Sequence, residues 1–405
     1  MVKKRVCKFW LFGVLLMLVS AMSIHAQDTI KLVEMEPLSG PFKDIGERYH
    51  DGMKYAVDEI NQSGGLLGKK IELVAIDNEG KPDVATRKAM NLILKDDVKF
   101  FGVGANSSVA AALSQLAEKQ NVIVFAYGPE AASMTGENCN KNFFRAGSLN
   151  SDNHSYALAL KMAEKGYKRI GIIAQDFSMG KESVVAFKKK IAEVSPSTEI
   201  VAEIYHPLGN KDFAPYVSQM ISARPDAIFT SNWGTDLTLL FKQGRPLGLK
   251  QNIYGYYIND EVLIESLGDD NFVVDSVGAE IYVVSIPTSK NKEFVAKFHR
   301  DKGFYPTWLR GKAYIATKFW AEAVKKAGTT DVDAVIKAWE GLSYDGPAGV
   351  WTMRACDHQV QSPIWTFEIK KDNPYFKHAY VGPAEMIPAE KVEIPCEETK
   401  CKMKK

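Results

Sequence analysis

Val98-Lys-Phe-Phe-Gly-Val-Gly-Ala-Asn-Ser-Ser-Val109 runs from an apolar stretch into a loop of small residues and then into a helical pattern. Val98 to Val103 reads as a buried strand, because a short apolar run bounded by turn residues fits a sheet covered on both faces. Val109, Leu113, Leu116 and Ala117 then fall on one helical face, and Val122 to Phe125 is apolar and strand-like again. A strand, a helix and a strand in that order predict a parallel sheet flanked by helices.

The rhythm extends outward in both directions. Upstream lie a strand at Thr29 to Glu34, a helix carrying Ile45, Tyr49, Met53, Ala56, Val57 and Ile60, a Gly-rich turn from Asn61 to Gly68, a strand from Lys70 to Ile76 and a helix from Pro82 to Leu94. Downstream, Ser133 to Ser151 is polar and turn-rich, and the alternation restarts as a second set of strands and helices up to Leu267. Ser276 to Val284 reads as a strand, followed by helices near 290–302, 309–327 and 332–340. Val350 to Met353 and Ile364 to Ile369 read as strands returning to the second lobe. The expected fold class is α/β, with two doubly wound lobes. Residues 27–147 plus 276–350 form lobe 1, residues 148–275 plus 351–390 form lobe 2, and 391–405 is a Lys-rich tail.

The N-terminus reads as a segment apart. Lys3, Lys4, Arg5 and Lys8 precede an apolar run from Phe9 to Met22, and Ala26 ends a small-residue site before Gln27. This is the pattern of a secretory signal peptide, and the run is short of the ~20 residues that span a bilayer. An uncleaved anchor is the competing reading. Losing residues 1–26 removes four basic residues, leaving 47 basic against 49 acidic and a net charge of −2. That balance excludes the basic stripe of a nucleic-acid binder. With 46% hydrophobic and 25% charged residues, the chain is neither disordered nor a multi-span membrane protein. An exported protein is expected.

Four cysteines remain after Cys7: Cys139, Cys356, Cys396 and Cys401. An even number in an exported chain predicts disulfides, with three pairings open. A local Cys396–Cys401 loop would leave Cys139 to pair with Cys356. No zinc-ligand spacing appears, so neither a metal nor a cofactor is expected.

Ligands of open α/β sheets bind where strands end and loops enter helices. Those loops hold Pro37 to Phe42, Gly104 to Ser108, Tyr127-Gly128-Pro129-Glu130, Asp176-Phe177, Asn232-Trp233-Gly234 and Tyr256 to Asp260. Asn106, Ser107 and Ser108 open a helix whose N-terminus favours a carboxylate, although a simple helix cap explains the same residues equally well. Phe42, Tyr127, Phe177, Trp233 and Tyr257 can wall a cleft, with Gly128 allowing close approach. Glu130 and Asp260 are the acids placed to enter it. His50, His154, His206, His299, His358 and His378 are scattered, and His154 and His206 read as surface or structural. No nucleophile–base pair or Gly-x-Ser-x-Gly elbow is present, so catalysis is not expected.

These residues carry a family resemblance. Leu38-Ser39-Gly40-Pro41 with Gly46, Val57-Asp58-Glu59-Ile60-Asn61, Gly64-Gly65-Leu66-Leu67-Gly68, Asn232-Trp233-Gly234 and Arg354 to Gln359 resemble the periplasmic substrate-binding proteins of branched-chain amino acid ABC transporters. The resemblance implies a type I periplasmic binding fold, two lobes joined by three crossovers, hinge closure on a ligand and delivery to an inner-membrane permease by a periplasmic monomer. It implies a ligand carboxylate at Asn106-Ser107-Ser108 and an aromatic contact at Trp233. The chain departs from the family twice. The loop at Tyr127 to Glu130 lacks the usual Thr, and Tyr257 stands where the family has the Glu that pairs the ligand ammonium. Either Glu130 or Asp260 replaces that partner, or the ligand has no amine. The competing functions are a sensory binding module and, more remotely, an exported α/β enzyme.

Overall fold

The computed structural model describes residues 29–403, so the expected signal peptide lies outside the described residues. The first sheet is built from β1 (Ile30–Glu36), β2 (Ile71–Asp77), β3 (Phe100–Val103), β4 (Ile123–Ala126) and β5 (Phe143–Arg145), in the order β2-β1-β3-β4-β5. Every pairing in it is parallel. Three helices connect these strands: α1 (Lys43–Gln62), α2 (Pro82–Asp96) and α3 (Ser107–Gln120). β3 and β4 are buried along their whole length, which is why they read as unbroken apolar runs.

The second sheet holds β6 (Arg169–Gln175), β7 (Glu199–His206), β8 (Ala227–Thr230), β9 (Asn252–Gly255) and β10 (Val277–Glu280). The helices between them are α5 (Ser178–Val194), α6 (Ala214–Ala223), α7 (Gly234–Gly244) and α8 (Glu261–Leu267), with α4 (Ser151–Glu164) leading in. Helices α9 (Ser289–Lys302), α10 (Trp308–Ala327) and α11 (Val332–Trp339) follow, and α9 and α10 pack back on α1 of the first lobe through Tyr55, Phe294, Phe298 and Tyr314. In α10, Trp320 stacks on Phe125 of β4 at 6.0 Å. The chain then forms β11 (Ser343–Gly346), β12 (Gly349–Met353), β13 (Val360–Gln361), β14 (Ile364–Lys370) and β15 (Tyr380–Ile387).

Strand membership moves two expectations. β10 pairs with β9 and β14 in the seven-stranded sheet β15-β14-β10-β9-β8-β6-β7, so the chain leaves the second lobe after Glu280, not before Ser276. β12 joins a small antiparallel sheet with β11 and β13, and only β14 and β15 return to the second sheet, as an antiparallel edge. The chain thus passes between the sheets after β5, after β10 and before β14.

The disulfide pairing differs from the local-loop reading. Cys139 bonds Cys401, and Cys356 bonds Cys396. Five residues of tail are long enough to close on themselves, but the tail runs back over both lobes instead. Asn153 donates to the Val392 carbonyl, Arg354 to the Ile394 carbonyl, and Lys189 of α5 meets Glu398 at 2.8 Å. Those anchors carry the two tail cysteines to different partners. Among the described residues, no helix is long and apolar enough to cross a membrane.

Candidate functional site between the lobes

The carboxyl ends of the two sheets face each other, as three side-chain contacts record. Tyr257, between β9 and α8, donates its hydroxyl to Glu130 Oε2 at 3.1 Å. Arg48 of α1 pairs with Glu261 of α8 at 3.1 Å. Arg310 of α10 reaches Glu261 at 3.3 Å and Asp51 at 3.1 Å. Arg48, Asp51 and Arg310, with Asp44, Glu47 and His50, line an open cavity of about 410 Å³ on the first lobe. Glu261 is buried, and that burial holds its carboxyl above the ordinary value although two guanidinium groups oppose the shift.

Glu130 is the centre of a buried cluster. His154 Nε2 of α4 and Lys312 Nζ of α10 each lie 3.3 Å from its Oε1. Lys312 also lies 3.5 Å from Glu280 Oε2 at the end of β10. Burial alone would raise the Glu130 carboxyl, but the His154 and Lys312 charges and the Tyr257 hydroxyl hold it down at about 2. His154 is raised in turn: burial opposes its charge, and Glu130 outweighs burial. Burial and the Glu130 charge push Tyr257 far above the ordinary phenol value, so it remains a donor. Donor atoms of Glu130, His154 and Glu280 fall within 4.8 Å of one another, a spacing a metal ion would accept. The Lys312 ammonium already supplies the cation there.

Helix α3 begins at the end of β3. Asn106 Oδ1 accepts the Ser108 amide at 2.8 Å, the Val109 amide at 3.3 Å and the Ser108 hydroxyl at 2.7 Å. Asn106 therefore caps its own helix, and Ser107 contributes no group to that cap. Asp260 does the same for α8, accepting the Val262 and Leu263 amides on Oδ1 at 2.7 and 3.3 Å. Tyr127 is a core residue, not an open cleft wall: its ring packs edge-on against Tyr49 at 5.2 Å and its hydroxyl bonds Glu36 at 2.7 Å. Gly128 is required, because a Cβ there would overlap the Gly104 carbonyl. Phe177 and Trp233 sit at the N-caps of α5 and α7, with Trp233 36% exposed. Phe42 is exposed at the start of α1.

Of the expected residues, then, Glu130 and Tyr257 are brought into contact, and Asn106 and Asp260 are engaged as caps. Sequence reasoning missed Lys312, Glu280, Arg48, Arg310 and Glu261, and it read His154 as a surface or structural residue. Lys312 falls at helical spacing between Trp308 and Ala316, on the apolar face that continues to Trp320, and that break in the face was the signal available.

Comparison with known proteins places this geometry in a family. The periplasmic binding protein family model matches residues 29–374. A Leu/Ile/Val-binding protein homologue of Brucella abortus is 29% identical over 370 residues, covering 85% of each chain. The closed conformation of a leucine-, isoleucine-, valine-, threonine- and alanine-binding protein from Brucella ovis superposes with a TM-score of 0.84 at 26% identity, over 93% of this chain and 99% of that one. A solute-binding protein of an ABC transporter from Rhodopseudomonas palustris, in complex with 3,4-dihydroxybenzoic acid, superposes with a TM-score of 0.77 at 25% identity, over 91% and 99%. Two α/β lobes meeting at the carboxyl ends of their sheets, and a family match over nearly all the described residues, make this chain a member of the periplasmic binding protein family.

Proposed function

We propose that the protein is the periplasmic solute-binding component of an ABC importer, closing on a small organic carboxylate and presenting the closed form to a membrane permease. The carboxylate end would meet Ser107 and the first-turn amides of α3, where helix partial charge favours an anion. Closure follows from differential affinity: a ligand seated on the first lobe gains contacts with Tyr257 and its neighbours only when the lobes meet.

The observation that carries the reading further is the state of Glu130. Its oxygens already serve Lys312, His154 and Tyr257, and the family resemblance implies that Tyr257 stands where an ammonium-pairing Glu is usual. Burying a ligand ammonium against Glu130, whose charge is already matched, would be costly. Tyr257 and Trp308, whose rings lie 6.0 Å apart, offer apolar faces instead. An aromatic acid without an amine fits these groups, in keeping with the 3,4-dihydroxybenzoic acid held by the Rhodopseudomonas relative. The names of the Brucella relatives favour an amino acid as the second reading. Calorimetric titration with benzoate, 4-hydroxybenzoate and L-leucine decides between them. Heat from the benzoates and none from leucine supports the first reading, and tight leucine binding alone overturns it.

A further inference from the structure

Two acids lie where strand β1 should be apolar. Glu34 and Glu36 are both fully buried on the face that meets α1. Glu34 has a cation: His50 Nδ1 lies 2.6 Å from its Oε2. Glu36 has none. It meets the Tyr127 hydroxyl on Oε1 at 2.7 Å and the Ala105 amide on Oε2 at 3.0 Å. Ala105 lies one residue before Asn106, so Glu36 holds the turn that delivers the start of α3. The fit is close: a Cβ on Gly104 would come within 2.6 Å of Glu36 Oε1.

We infer that Glu36 is a positioning residue that works as a neutral carboxylic acid, fixing the Gly104–Ala105 turn beneath the carboxylate-binding start of α3. The ligand assignment of α3 rests on the function proposed above; the protonation of Glu36 does not. Charge bookkeeping supports the neutral form. His50 balances one of the two buried carboxylates, and a second, uncompensated charge in the interior is strongly disfavoured. Burial lifts the Glu36 carboxyl well above its ordinary value, the neighbouring Glu34 lifts it further, and the Tyr127 hydroxyl and the two loop amides only partly oppose this. The other titratable groups around the pair are Tyr49, His50 and Asp51 of α1 and Tyr127 after β4. Function gives a second reason. An ionised Glu36 would set a negative charge behind the loop that has to hold an anion.

Infrared spectroscopy of the ligand-free protein at pH 7 tests the protonation directly. A protonated-carboxyl band in the wild type that disappears in Glu36→Gln is the expected result. No such band in the wild type, or a band unchanged in Glu36→Gln, overturns the proposal. Should Glu36→Gln not fold, Glu36→Asp keeps the acid but moves it, and must shift the band; an unshifted band again overturns the proposal. Calorimetry with benzoate and L-leucine supplies the functional arm. Wild-type affinity for the acid that binds falls as pH rises through the Glu36 ionisation. Glu36→Gln binds within about twofold of wild type at pH 7 and loses that part of the decline, whereas Glu36→Ala binds roughly tenfold more weakly, as the loss of a neutral hydrogen bond to the Ala105 amide implies. Equal pH profiles for wild type and Glu36→Gln overturn the proposal. If neither acid binds the wild type at any pH, the function proposed above fails while the infrared result stands.

Discussion

The starts of α3 and α8, one in each lobe and each following a strand of its sheet, share a cap geometry and have opposite electrostatics. Each helix is opened by an Asx side chain that accepts two first-turn amides through one oxygen. At α3 the cap is Asn106, a neutral amide, so the partial positive charge of the helix end remains available. At α8 the cap is Asp260, followed by Glu261, so that end already carries its own anions. Capping fixes a helix end in either case. Only the neutral cap leaves it able to hold a foreign carboxylate, which is why the proposed function anchors the ligand on the first lobe.

The largest expected effect comes from erasing that difference. Asn106→Asp keeps the cap and adds a charge a few ångströms from the bound anion. At an effective dielectric of about 20 this costs roughly 3 kcal/mol, on the order of 100-fold in carboxylate affinity. Calorimetry should show the loss while thermal unfolding changes little.

Glu130 extends the contrast to an acid whose charge is fully matched. Its folded value of about 2 lies below the ordinary 4.5, so its stabilisation is present above about pH 4.5 and is lost as pH falls toward 2. The loss is of order 3 kcal/mol or less, because Glu280 beside it is shifted the other way. Thermal unfolding of the wild type against Glu130→Gln over pH 2 to 7 should show an acid-side decline that the variant lacks.

Glu261→Gln acts at the α8 end. Arg48 and Arg310 lose their shared counter-charge across the gap, and closure weakens by roughly 2 kcal/mol. Small-angle scattering should report a larger mean radius at subsaturating ligand. Asp260→Asn is the smallest change. The cap survives as an amide, and unfolding free energy should move by less than about 0.5 kcal/mol in denaturant titration.

Much of the fold was legible because its signals are local. Apolar runs such as Phe100 to Val103 and the face of Val109, Leu113, Leu116 and Ala117 are set by period alone. β5 and β15 were missed for the opposite reason. Phe143 to Arg145 is three residues long, and Tyr380 to Ile387 is interrupted by Gly382 and Pro383, so neither shows a period. β15 tolerates Pro383 because it is an edge strand. The disulfide pairing was illegible because Cys139 and Cys401 are 262 residues apart and meet only through the course of the tail.

The site was legible in part. Asn106, Glu130 and Tyr257 stood out as polar or aromatic residues in loops after strands. Lys312, Glu280 and His154 did not, since each lies on a separate element and acquires a role only when β10, α4 and α10 converge on Glu130. Glu34 and Glu36 broke the apolar pattern of β1, and a buried acid needs its partners in view before it means anything.

Where a bound acid places its carboxylate decides whether α3 is the anchor. A crystal structure with 4-hydroxybenzoate should show the carboxylate within hydrogen-bonding distance of Ser107 and the first-turn amides of α3, with the ring against Tyr257. A carboxylate seated on Lys312 and His154, or a ligand absent from the gap while bound elsewhere, would contradict it.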